Sequence, residues 1–373
     1  MPAEETISPY LRCALLLTIA AAVSGLTTNV AFAQQTRDRV VPRDEYFLTL
    51  RGYYTGEYRS AARQLRSVAA GGIRSTEGRW VDSICYHTLA GECYYQMGEP
   101  ALALEQYESA LALAVRHSDW MLRVQFPRTI APSGSTVRNR ITWGASARRS
   151  QLGNYPDTMS SFQGRLNNEN AFRQGGVVTP PSFHPLRVNE IVRCTGLSLY
   201  RRWELMGPVG EHSPLSQTIV DALSRRSAPA NHWSQVWIEA QLGLAQAANG
   251  KRAEAIAHLR RAVVAGGEYD HHLTPLVLLA LGKLFMEDNN LEAAGNYFLE
   301  ASFAGAAFDQ PDVISEAFRH GLTVHLARGA QGAYPPLVAA VPWAKREGYD
   351  ALEAWLYVLG AESFAAIGDA KSG

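Results

Sequence analysis

The strongest constraint on this chain is a register of small and apolar residues that returns at an even interval. It is clearest in Gly91, Tyr94, Gly98, Ala103, Tyr107 and Ala110. It comes back as Gly243, Gly250, Ala255, Leu259 and Ala262, then as Gly282, Phe285, Ala294, Phe298 and Ala301, with a looser form at Gly321. Gly243, Gly282 and Gly321 stand 39 residues apart, and Ala361 follows after 40. Periods of this length belong to stacked helical hairpins, each burying its apolar face against its neighbours. Residues three, four and seven apart share a helix face, so Gly91, Tyr94 and Gly98 form one stripe and Ala103, Tyr107 and Ala110 the facing one. Gly98 and Glu99 break the helix between them.

This order of small residue, aromatic, turn Gly, then Ala, aromatic and Ala resembles the tetratricopeptide repeat. Residues 84–115 fit it well. In 236–267 Gln246 and Leu259 replace the two aromatics, and in 275–306 Asn289 replaces the turn Gly. A half-match at Gly56, Tyr58, Ala61 and Leu65 suggests a further unit. The resemblance covers about half of the chain beyond residue 33. It implies an all-α fold, a right-handed superhelix (solenoid) of helical hairpins, similar to large exported bacterial repeat proteins without assigned activity. It also implies a concave face lined by the first helix of each hairpin. Glu92, Tyr95, Gln96, Lys283, Met286, Glu287 and His325 are the candidate partner-binding positions on that face, with plain solvated polar positions as the alternative. Lys and Asn clustering of the kind that clamps a terminal carboxylate is missing from this set.

The N-terminus reads as an export signal. Arg12 precedes an apolar run from Cys13 to Val23, and Ala31-Phe32-Ala33 offers small residues for cleavage after Ala33. Glu4 and Glu5 depart from the usual cationic start, which leaves a retained anchor or a different start codon as alternatives. The run is too short to span a bilayer, which takes about 20 residues. The expected address is therefore periplasmic or extracellular. Past residue 33 remain Cys85, Cys93 and Cys194. Cys85 and Cys93 are eight positions apart on one predicted helix, roughly 12 Å at 1.5 Å per residue, too far for a disulfide. Net charge is zero with 19% charged residues, so long-range electrostatics does not define a partner.

Helical patterning occupies 44–117, stops, and resumes from 186 to the end. The intervening 118–185 carries six Pro and six Gly and reads as an irregular insertion. Its Trp120, Phe126, Trp143, Tyr155 and Phe162 are too apolar for a solvated linker, so it is expected to be ordered against the helices. Arg123, Arg128, Arg138, Arg140, Arg148 and Arg149 fall there with no acid between Asp119 and Asp157. They form either an anion-binding surface or a set of pins to acids on the helices. From 351 the last apolar helix lacks a returning partner, which points to a chain continuing further or to a covered end.

No catalytic motif stands out. G-x-S-x-G, a P-loop and H-E-x-x-H are missing, and Gly175-Gly176 lacks a strand-turn-helix setting. His271 and His272 beside Asp270, with His320 and His325 one repeat on, lack metal-ligand spacing. No cofactor, metal, nucleic acid or transmembrane span beyond the signal is expected. The expectation is a non-catalytic protein-interaction scaffold of the bacterial envelope or exterior. The alternatives are a module binding anionic glycan or cell-wall polymer, and an enzyme of envelope polymers with its chemistry outside the repeats.

Overall fold

The computed structural model describes residues 40–75, 78–134, 141–163, 182–225, 227–330 and 333–366. The export segment 1–33, Arg138, Arg140 and Gly175-Gly176 lie outside the described residues. Among the described residues the fold is mainly helical: α1 (Asp44–Tyr54), α2 (Tyr58–Val68), α3 (Ser83–Gln96), α4 (Pro100–Arg116), α5 (Val188–Met206), α6 (Pro214–Ser224) and α7 (Gln235–Ala248). There follow α8 (Arg252–Arg261), α9 (Thr274–Glu287), α10 (Leu291–Ala307), α11 (Pro311–Ala327), α12 (Pro335–Glu347) and α13 (Asp350–Ala366). Consecutive helices pack as hairpins, α3 on α4, α7 on α8 and α9 on α10. The turns need left-handed backbone: Gly98 has φ +73°, and Asn289, at the place of a turn glycine, reaches φ +57°, a conformation Asn tolerates better than most residues.

The hairpins touch where the periodic glycines lie. A methyl group on Gly91 would meet the Tyr107 ring at 2.6 Å, on Gly243 the Leu259 side chain at 2.6 Å, and on Gly282 the Phe298 ring at 2.6 Å. Gly321 stands in the same relation to Tyr334, at 2.7 Å. The missing side chain is what lets a large residue beyond the turn come this close to the backbone of the first helix. A continuous core runs from Val41 to Val324, and a second cluster gathers Phe303, Phe318, Trp343 and Leu356 around Trp143. Helix α5 contacts α3, α4, α7 and α9, and α13 packs on α11 and reaches α1. The three thiols Cys85, Cys93 and Cys194 are buried and unbridged.

The segment between α4 and α5 is not wholly irregular. It holds four short strands: β3 (Ala131–Pro132), β4 (Gln151–Asn154), β5 (Met159–Gln163) and β6 (Ser182–Leu186). The pair β1 (Arg74–Ser75) and β2 (Gly78–Arg79) precedes them, and β7 (Tyr269–Asp270) follows. β5 pairs antiparallel with β6, whereas β4 pairs with β3 on one side and runs parallel to β7 on the other. Period-2 patterning is invisible over two to five residues, so these strands left no sequence signal. Side chains complete the attachment: Trp143 Nε1 donates to Ser302 Oγ at 2.9 Å, and Ser146 Oγ donates to Glu300 at 2.6 Å. Tyr155 packs against both Trp233 and Trp237.

These close approaches reverse the usual sign of a helix substitution. Gly→Ala inside a helix ordinarily stabilises by about 1 kcal/mol, and Gly52→Ala, whose nearest neighbour is Ala61 at 3.7 Å, is expected to do so. Gly91→Ala should instead destabilise by about 1–3 kcal/mol through overpacking against Tyr107. Urea denaturation of the two variants checks this; equal shifts for both would refute the contact.

Candidate functional site

The junction of α3, α5 and α11 is organised by one guanidinium. Arg201 on α5 is 1% exposed. Its Nε and NH2 donate to the two oxygens of Glu92 on α3 at 2.9 and 3.1 Å. Its NH1 donates to Glu204 at 2.9 Å and to Glu316 on α11 at 2.8 Å. The flat face of the group lies 4.0 Å from the ring centre of Tyr95. Glu92 also accepts from the hydroxyls of Tyr107, at 2.5 Å, and Tyr53, at 3.2 Å. Arg319 donates to both Glu204 and Glu316 at 2.5 Å. Burial alone would raise the Glu316 carboxyl, but Arg201 and Arg319 outweigh it and hold it at about 2. Such a cluster is stable only because every carboxylate has a donor.

A second buried pair lies nearer the chain's start. Arg193 grips Glu190 at 2.8 Å and reaches Asp312, the first-turn acid of α11, at 3.6 Å. Tyr46 donates to Glu190 at 2.5 Å. Burial opposes ionisation of Glu190, and Arg193 overcomes it to bring the carboxyl to about 2. At Asp312 burial outweighs Arg193, Arg201 and a backbone hydrogen bond and leaves the carboxyl raised.

Where α1 and α3 end and α11 and α13 begin, a recess of about 380 Å³ opens. Its walls are aromatic: Tyr53, Tyr54, Tyr58, Tyr349 and Trp355. Tyr54 meets Tyr349 edge-on at 5.4 Å, and Tyr53 meets Tyr58 in the same manner at 5.7 Å. Two rings are fixed from behind, Tyr53 through Glu92 and Tyr349 through Asp309 at 3.3 Å. Asp312 and Asp350 supply acid at the rim and floor, and none of the residues lining it is basic.

The positions singled out on the first helices have separate fates. Glu92 is 1% exposed and serves Arg201; Tyr95 forms the platform under that guanidinium, and exposed Gln96 lines the recess. Lys283 lies over Trp203, 4.3 Å from the ring centre, and Glu287 pairs with Arg252 at 3.1 Å. Met286 is half-buried on the core, and His325 is half-buried beside Tyr334, with ring centres 5.2 Å apart. Of Arg123, Arg128, Arg138, Arg140, Arg148 and Arg149 in the insertion, four lie among the described residues. Arg148 pairs with buried Asp270 and Arg123 with Asp119, whereas Arg128 and Arg149 are exposed. The recess itself was out of reach of sequence reasoning, because its walls come from segments about 300 residues apart and no local spacing marks them.

The histidines near these elements are structural in their bonding. His271 is fully buried; its Nε2 lies 2.8 Å from the Ala262 carbonyl, and its Nδ1 accepts from the Leu273 amide at 3.2 Å. Both bonds require a neutral ring protonated on Nε2, the tautomer these partners assign. Burial depresses its pKa to about 3. His320 stacks on Phe298 with centres 5.1 Å apart, and burial brings it to about 4. Ligand atoms of Glu204, Glu316 and His320 lie within 4.8 Å of one another. Arg201 and Arg319 already occupy both carboxylates, so a cation there would have to displace a guanidinium.

No protein-family model matches the chain, and comparison with curated proteins finds no relative.

Two measurements test this electrostatic core. Arg201→Met strands Glu92 and Glu316 in the interior and should cost about 3–5 kcal/mol. Arg123→Met breaks an exposed pair and should cost no more than about 1 kcal/mol. Comparable losses for the two variants in urea would contradict the burial argument. Acid should also weaken the fold. The His271 and His320 pKa values are lower folded than unfolded, so the unfolded chain binds the extra protons. Their stabilisation is complete above about pH 6.5 and is lost as pH falls towards 4, by about 2 kcal/mol each between pH 7 and pH 5. His271→Gln should flatten its share of that slope in denaturation curves at the two pH values, and an unchanged slope would refute it.

Proposed function

We propose that this chain is a non-catalytic scaffold that binds a protein partner through the inner face of a right-handed superhelix of tetratricopeptide-like hairpins. The observation that carries the reading is the aromatic recess. It is assembled from α1, α3, α11 and α13, and its volume falls within the range of preformed ligand pockets, roughly 300–1,000 Å³. Support for the hairpin reading comes from four glycines, each meeting a large residue of the following segment. The strongly buried ionisable groups nearby serve ion pairs and hydrogen bonds, and the recess is walled by rings suited to anchoring a partner side chain. Among the described residues no helix is long and apolar enough to cross a membrane. The apolar run from Cys13 to Val23 with Ala31-Phe32-Ala33, read as an export signal, supports an address in the envelope or outside the cell.

A cleft of about 500 Å³ beside Arg148 and Arg149 favours a second reading, binding of an anionic polymer. Its charge balance is poorer, because Arg148 is committed to Asp270 and Glu268 faces the same space.

Capture from envelope extract separates the two. The protein from Gln34 onward, its Trp355→Ala form and its Arg149→Glu form are immobilised, and bound species are identified by mass spectrometry. A protein that is retained by the parent and the Arg149 variant, and lost with Trp355→Ala, is the expected result. Loss confined to the Arg149 variant, with glycan recovered, would replace the scaffold reading by the polymer one.

A further inference from the structure

We propose that the recess between α1 and α13 is a receptor for a methylated or quaternary ammonium group. The proposal deepens the reading above, since it names the chemistry of the same recess. Three features of the recess select this ligand over others. First, aromatic residues from two distant segments surround one space: Tyr53, Tyr54 and Tyr58 from the first hairpin, and Tyr349 and Trp355 from the last. Ring faces attract cations through their quadrupole, and they do so best when the cation is poorly hydrated, as an alkylated ammonium is.

Second, the charge in the recess has one sign. Asp312 and Asp350 line it and no Lys, Arg or His does. Arg193 stands behind Asp312 but spends its short contacts on Glu190, at 2.8 Å against 3.6 Å to Asp312. Burial raises the Asp312 carboxyl in spite of Arg193 and Arg201, so a cation seated beside it would favour its charged form. An anion would meet two carboxylates and no cationic side chain among the lining residues. Third, the walls are pre-set, because the Tyr53 and Tyr349 hydroxyls are each held by a carboxylate outside the cavity. Holding rings in place before the ligand arrives lowers the ordering cost of binding.

Calorimetric titration of the full chain with choline and with its neutral isostere 3,3-dimethylbutan-1-ol tests the proposal. Choline should bind at least tenfold more tightly. Trp355→Leu removes a partly exposed ring, 38% accessible, while keeping an apolar wall, and should weaken choline about fivefold. Asp350→Asn, at an exposed position, should weaken choline and leave the isostere unaffected. Equal affinity for the two compounds, or no heat from either, would overturn the proposal. So would an Asp350→Asn variant that binds choline as the parent does. A trimethyllysine peptide bound more tightly than choline would assign the ammonium to a protein partner, and the reverse order would assign it to a free metabolite; both orders support the chemistry. Failure here is separable from failure of the scaffold reading, since the heat reports only what the recess binds and partner capture reports whether the inner face is used.

Discussion

Arg201 holds together parts of the chain that otherwise have little reason to meet. One planar group on α5 satisfies carboxylates from α3, from its own helix and from α11, and rests on the Tyr95 ring. Only a guanidinium can do this: its donors lie in one plane and point in several directions, and it keeps its charge when buried. The cost of desolvating several charges is met by geometry, because Tyr53 and Tyr107 complete Glu92 and Arg319 completes Glu204 and Glu316. With those contacts in place, α3, α5 and α11 are fixed relative to one another more strictly than apolar packing alone would fix them.

The recess depends on that arrangement. Tyr53 forms part of its wall while donating to Glu92, so a ring of the binding surface and the central ion pair share one carboxylate. Asp312 likewise belongs to the recess on one side and to Arg193 on the other. Recognition and stability are thus written in the same residues, and a ligand's charge is felt by groups that position the helices.

Part of this was legible in the amino-acid order. The helical class followed from spacing, and the pairs Gly91 with Tyr107 and Gly282 with Phe298 stand in contact at the places the stripes mark. Small residues carry such information because a close approach tolerates nothing larger. Glu92 was legible as a polar residue on a first helix, but its burial was not, since nothing local says that Arg201, 109 positions on, will reach it. The recess was hidden for the same reason. Trp355 reads as one more apolar residue of a last helix until the first hairpin is laid beside it. The short strands between α4 and α5 were illegible on different grounds, because pairing such as β4 with β7 is decided by where the helices have already put the partner.

The contact between α13 and α1 changes what kind of object this array is. A row of hairpins held only by neighbours can unzip from either end, one interface at a time. When the last described helix touches the first described one, and an ion cluster ties hairpins that are not adjacent in sequence, peeling away either of these helices also breaks a contact with the other. Opening is pushed towards an all-or-none event, and the slowest-exchanging amides should extend into the first and last helices instead of being confined to the middle. A molecule seated in the recess would then act as a clasp on the whole circuit, because the gap it fills lies where the circuit closes.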